Sequence, residues 1–221
     1  MLYLVLLLTV ILSLAAQGFV KSNYQKYSRI RTLSGMTGKQ VAEKILADNN
    51  LHDVKVIQSR AGILSDHYDP TKNIVALSPG VYASDSIASV AVAAHEVGHA
   101  IQHATGYHGI KVRNILLKPT IVASQFSQIA LFIGLISGSI LFELGIIMLG
   151  VILLFQAVTL PIEFDASNRA LKIIQADHIV TSSEYNGAKS MLTAAALTYV
   201  AAVLGAAANL LYYMSLRGNR K

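Results

Sequence analysis

Long runs without charge constrain this chain more than any other feature. Leu2–Val20 is nineteen residues without a charged side chain, Thr120–Leu160 carries only Glu143, and Met191–Met214 carries none. Crossing a hydrocarbon core of about 30 Å takes about 20 apolar residues in a helix. The middle run is long enough for two passes. Its small residues Ser137, Gly138 and Ser139 predict a hairpin of helices over 120–139 and 144–161, turning between Ser139 and Glu143. Pro161 marks the expected end of the second helix. The small residues Ala201, Gly205 and Ala208 of the last run would allow close helix packing. The chain therefore reads as a mainly α membrane protein with about four transmembrane helices.

Composition agrees. Hydrophobic residues make up 53% and charged residues 14% of the 221 residues, with a mean hydropathy of +0.51, where globular chains average about 25% charged. That excludes a disordered chain. The absence of Cys excludes disulfides, thiol nucleophiles and thiolate metal sites. A bound metal would have to use His, Asp, Glu or water.

A net charge of +6 is no sign of nucleic acid here: 12 of the 18 Lys and Arg lie between Lys21 and Lys118 and none lies inside the apolar runs. No nucleic-acid motif accompanies them. They read as flanks of membrane spans. Lys21, Lys26, Arg29 and Arg31 follow the first run rather than precede it. A signal peptide would have a basic segment before its apolar core, so the run reads as a span with the N-terminus outside and the following segment in the cytoplasm. Four spans would leave Arg217, Arg220 and Lys221 outside; the 15 other basic residues should dominate the orientation. The alternative is that the last run does not fully cross.

The expected organisation is a transmembrane helix over 1–21, a catalytic region over 22–118, and a transmembrane hairpin over 119–162. A helix at 163–190, a fourth span over 191–214 and a basic tail at 215–221 complete it. Within the polar region, Thr37 and Gln40 form a capping box ahead of the stripe Val41, Ile45 and Leu46. Val54–Ile57 reads as a short strand. Leu64–Tyr68 and Asn73–Ser78 read as a hairpin around the turn Asp69–Lys72. A helix follows over 86–104, capped by Asp85 or Ser84.

That helix contains His95-Glu96-Val97-Gly98-His99. Two histidines four residues apart differ by about 40° around a helix, so both rings can face one ion. Glu96 lies about 100° from His95, off the ion but within reach of a water bound to it. This is the HExxH arrangement of two zinc ligands and a general base. Gly98 removes bulk from the face between the histidines. The third ligand should come from another helix. Thr105 and Gln102 stand where metzincins have their third His and a Gly, which excludes that class. His103, one turn beyond His99, suits an outer contact or a substrate contact better than a ligand. Glu163 is the leading candidate and Asp165 its rival, both just after Pro161, where a carboxylate is costly unless paired or liganded.

The segments LSDHYDP, IVALSPGVY and VAVAAHEVGHAIQH, with the later EFDAS, resemble the integral-membrane zinc metallopeptidases of the YugP type over nearly the whole chain. The chain is more distantly similar to gluzincins of the HtpX kind. The resemblance implies a small α+β zincin-like part with a short β-sheet, and one Zn2+ per chain on His95, His99 and Glu163, with Glu96 as base. Ser167 stands where the gluzincin pattern has an Asp that supports a histidine ligand, so the surroundings of the ligands must differ, with Asp165 a candidate for that role. It further implies a peptide or protein substrate bound along a sheet edge, for which Asn73, Ile74, Val75, Ala76 and Leu77 are the candidates. The oxyanion partner is to be sought among His103, His67, Tyr68 and Arg169.

The reading is thus a membrane-anchored zinc endopeptidase working at the cytoplasmic face of a bacterial membrane. An intramembrane zinc protease is disfavoured by the short apolar stretch before the motif, eight residues from Ile87 to Ala94. A non-enzymatic metal-binding scaffold is disfavoured by Glu96, for which a structural site has no use.

Overall fold

The computed structural model describes residues 2–62 and 65–218, with side chains described from residue 7 to residue 217. Leu64, expected to open a hairpin strand, and the tail residues Arg220 and Lys221 lie outside the described residues. The elements run α1 (Leu2–Tyr27), α2 (Gly38–Asp48), β1 (Lys55–Gln58), β2 (His67–Asp69), β3 (Ile74–Leu77), α3 (Pro79–Ala83) and α4 (Ile87–Ala104). Then come α5 (His108–Ser137), α6 (Leu141–Ala176) and α7 (Ser182–Gly218). The fold is mainly helical with one small sheet.

The described residues divide into two compact units. One, built from 2–17, His108–Ile162 and 197–218, is helical. Among the described residues, three helices, His108–Ser137, Leu141–Ala176 and Ser182–Arg217, are long and apolar enough to cross a membrane. The crossing expected of the first run rests on its sequence and on its being a single helix, α1. Inside the helical unit, Leu131, Phe142, Ile146 and Leu149 form a small core joined by Tyr213 and Leu216. Glu143 opens α6 and Arg217 closes α7, and their side chains pair at 2.9 Å. Two expectations for this region are corrected. The turn falls at 138–140, so Glu143 is already helical, and Pro161 does not end its helix, which continues to Ala176. A proline forfeits one helix hydrogen bond, and apolar helices tolerate it where neighbours or water compensate. The piece expected as one helix over 163–190 is consequently the end of α6, a turn, and the start of α7.

The other unit, Gly18–Tyr107 with Glu163–Ala196, has a conventional core. Val41, Ile45 and Leu46 of α2 meet Val75 and Leu77 of β3 and Val90, Ala94, Val97 and Ile101 of α4. Ala170 and Ile174 of α6 and Met191 of α7 complete it. Helix α2 starts as its capping box predicts: Thr37 accepts from Gln40 N, and Gln40 Oε1 accepts from Thr37 N. The cap of α4 is neither Asp85 nor Ser84 but Ser86, whose hydroxyl accepts from Ser89 N. Asp85 pairs with Arg31 instead, at 2.6 Å.

The three strands lie in the order β1-β3-β2, with β1 parallel and β2 antiparallel to β3. The hairpin turn occupies 70–73, one residue later than expected, because Asp69 itself pairs with Ile74. Asp69 Oδ1 accepts from Thr71 N at 2.9 Å and Lys72 N at 3.2 Å to close it. Since β3 is flanked on both sides, the segment Asn73, Ile74, Val75, Ala76 and Leu77 is not an edge, and that expectation is corrected. The edge strand that packs on α4 is β2.

Candidate metal centre

Helix α4 carries His95 and His99 one turn apart, with ring centroids 4.8 Å apart and nearly perpendicular planes. Helix α6 brings Glu163 to them. Its Oε2 stands 3.4 Å from His95 Nε2 and 3.5 Å from His99 Nε2. That oxygen is buried and has no hydrogen-bond partner. A buried, unpartnered carboxylate oxygen is costly, and here it faces two imidazole nitrogens.

The three residues form a group that could hold a metal ion. The fit can be tested on the spacings. Tetrahedral zinc with bonds of about 2.0–2.1 Å to nitrogen and oxygen separates its ligand atoms by about 3.3–3.4 Å. The observed separations of 3.4 and 3.5 Å match this. The donor set, two imidazoles and a carboxylate, suits zinc and leaves room for the open position of a catalytic site.

The sequence explains how two helices come so close. A Cβ added to Gly98 would lie 2.7 Å from Ala166 O and 3.3 Å from Ala166 Cα. Gly98 therefore serves the contact between α4 and α6, rather than clearing the face between the histidines. With Ala166 itself fully buried, this contact sets Glu163 at the level of the histidines.

Glu96 lies beside the group, buried. Burial pushes its carboxyl above the usual carboxylate range; His95 and His99 oppose the shift, while Glu163 and Asp66 add to it. Asp66, just before β2, accepts from Ser78 N at 2.7 Å and from Ser78 Oγ at 3.0 Å. Its closeness to Glu96 has no signature in the sequence, because β2 and α4 meet only through the fold.

The remaining candidates separate. Asp165 does not join the histidines; it accepts from Gln102 Nε2 at 2.8 Å and from Arg169 Nε at 2.6 Å. Arg169 lies over the ring of Tyr107. Ser167 Oγ is 3.1 Å from His95 Nδ1, the position in which the sequence pattern led one to look for an aspartate. Gln102 Oε1 is 2.9 Å from His99 Nδ1. The sequence reading passed over Gln102, although a glutamine three residues after a ligand on the same helix is a usable signal. His103 faces Tyr68, whose hydroxyl is 3.1 Å from His103 Nδ1 and 3.2 Å from Asn73 Oδ1. His67 is exposed, with Nδ1 2.9 Å from Ser65 O, and stands outside the metal-ligating group.

Two histidines of an HExxH helix with buried Glu163 of α6 form the kind of group that could hold a metal in a zinc peptidase, and comparison with known proteins agrees with that class: residues 2–218 match the family described as "Putative neutral zinc metallopeptidase", to which this chain belongs. The chain is also 44% identical over 206 residues to "Putative membrane protease YugP" of Bacillus subtilis (strain 168), covering 93% of this chain and 91% of that protein. No solved structure matches it.

Proposed function

We propose that this protein is a membrane-anchored zinc endopeptidase that cuts peptide bonds of protein or peptide substrates at the cytoplasmic face of the membrane. The observation that carries the reading is the unpartnered buried Glu163 Oε2 facing His95 Nε2 and His99 Nε2 at 3.4 and 3.5 Å, with buried Glu96 next in sequence to His95. His95, His99 and Glu163 would hold the zinc, which when bound polarises the scissile carbonyl and makes a water nucleophilic near neutral pH. Glu96 takes the proton of the attacking water on a carboxylate oxygen and delivers it to the leaving amine as the C–N bond breaks.

The outer edge of β2, His67–Asp69, is the surface along which an extended peptide would pair, since this strand is at the sheet edge and packs on α4. The His103–Tyr68 pair, one helical turn beyond His99, is the candidate for steadying the carbonyl oxygen as charge develops. Helix α4 carries His95, Glu96, His99, Gln102 and His103 and packs in one core with α2 and β3, which supports a site outside the hydrocarbon core. The basic residues between Lys21 and Lys118 support its cytoplasmic orientation.

The first test is metal content of detergent-purified protein. About one zinc per chain, lost or sharply weakened in Glu163→Ala, is expected. Zinc retained in that variant would sink the ligand set. No zinc in the wild type after reconstitution would sink the enzyme reading and favour a scaffold.

A further inference from the structure

We propose that Gln102 is a positioning residue for this centre, one that dictates which nitrogen of His99 faces the metal; the inference rests on the zinc reading above. Gln102 has no exposed surface. Its side chain bridges His99 Nδ1, at 2.9 Å, to Asp165 Oδ2, at 2.8 Å. The chemistry of the bridge runs in one direction. A carboxylate accepts hydrogen bonds and does not donate them, and Asp165 already accepts from Arg169 Nε at 2.6 Å. The amide must therefore turn its NH2 group to Asp165 and its carbonyl to His99. That carbonyl can only accept. The proton of the His99 ring thus sits on Nδ1, and the free lone pair sits on Nε2, the atom 3.5 Å from Glu163 Oε2.

His95 shows why this matters. Its Nδ1 meets Ser167 Oγ at 3.1 Å, and a hydroxyl donates or accepts as required, so Ser167 imposes no tautomer. Of the two imidazoles, only His99 has its protonation site written into its surroundings. The bridge also spans two helices. Gln102 belongs to α4, and Asp165 follows Glu163 by two residues on α6, so the ring of His99 and the carboxylate of Glu163 are held in one frame.

The test uses the full-length protein in detergent, with zinc affinity measured by competition against a chromophoric chelator and the visible spectrum of the cobalt(II) form as a second readout. Gln102→Met keeps the length of the side chain and removes its hydrogen bonds to His99 and Asp165. Its zinc affinity should fall about 10–100-fold, with a changed cobalt spectrum. Gln102→Glu sets a carboxylate against Asp165 and should also weaken zinc. Adding Asp165→Asn to it supplies an NH2 donor to the new carboxylate, which again accepts from His99 Nδ1, so the double variant should recover wild-type affinity and spectrum. A merely space-filling role for Gln102 predicts no such recovery. Wild-type affinity in Gln102→Met, or a double variant no tighter than Gln102→Glu, overturns the proposal. If Gln102→Met does not fold, the double variant decides alone. A wild-type protein that binds no zinc defeats the metal reading itself, which is a different result from zinc bound tightly with or without the amide.

Discussion

In the unit built from Gly18–Tyr107 and Glu163–Ala196, large aliphatic side chains such as Ile45, Leu77 and Ile174 are fully buried. In the helical unit the pattern is mixed: Leu131, Phe142, Ile146 and Leu149 form a small buried core, but Phe132, Ile140 and Ile147 are more than 60% exposed, while the small residue Ala123 and the polar Ser127 are buried. The difference fits helices long and apolar enough to cross a membrane, where a large apolar side chain need not be hidden from its surroundings. Water drives the first set inward. Lipid exerts no such drive, so large apolar side chains can face outward and small or polar ones can take places between helices. Charge follows the same division. Glu143 of the helical unit finds a cation, Arg217, at its partly exposed end, whereas Glu96 and Glu163 are buried among imidazoles.

The contrast can be broken most sharply at the acidic residues. Glu96→Gln should keep zinc and lower kcat by a factor of about 10²–10⁴, the usual worth of a general base; Glu143→Gln should leave kcat within error. Turnover of a fluorogenic peptide beside zinc content would separate them, and retained activity in Glu96→Gln would sink the mechanism. Next in size is packing. Ile45→Ala should cost about 2–5 kcal/mol by thermal or chemical unfolding in detergent, while Ile147→Ala, 62% exposed, should be close to neutral. Equal costs would mean that the outward face of α6 is covered by something other than lipid. Glycines offer a finer comparison. Gly98→Ala meets the Ala166 carbonyl at 2.7 Å and should cost about 1–3 kcal/mol through overpacking, with zinc weakened as α6 is pushed away. Gly150→Ala meets nothing within 4 Å and should be neutral or stabilising by about 0.5–1 kcal/mol. Smallest is the Glu143–Arg217 pair. Its side chains are 38% and 54% exposed, so a double-mutant cycle should give about 1 kcal/mol or less.

What the sequence could express depended on range. The His95–His99 spacing and the Thr37 capping box are local, decided within one helical turn, and both could be read directly. Pro161 misled because a proline forfeits one helix hydrogen bond without having to end the helix where neighbours or water compensate, and α6 runs through it to Ala176. The central place of β3 was invisible because its parallel partner β1 is separated from it in the chain by all of β2. Glu163 was nameable from its position after an apolar run, but the choice between it and Asp165 required knowing which of two residues on one helix turns toward α4. Gln102 and Asp165 are 63 positions apart, and no pattern in a single sequence joins them.

The close seat of α4 on Ala166 bears on how much the motif can vary. A pentapeptide written HExxH leaves its third and fourth letters open on paper. In this chain Val97 is fully buried in the core and Gly98 abuts the backbone of the neighbouring helix. A library randomised at those two codons and selected for activity should return small aliphatics at the first and glycine almost alone at the second. The substitution record of related chains at these letters would then report on helix spacing, not on zinc chemistry.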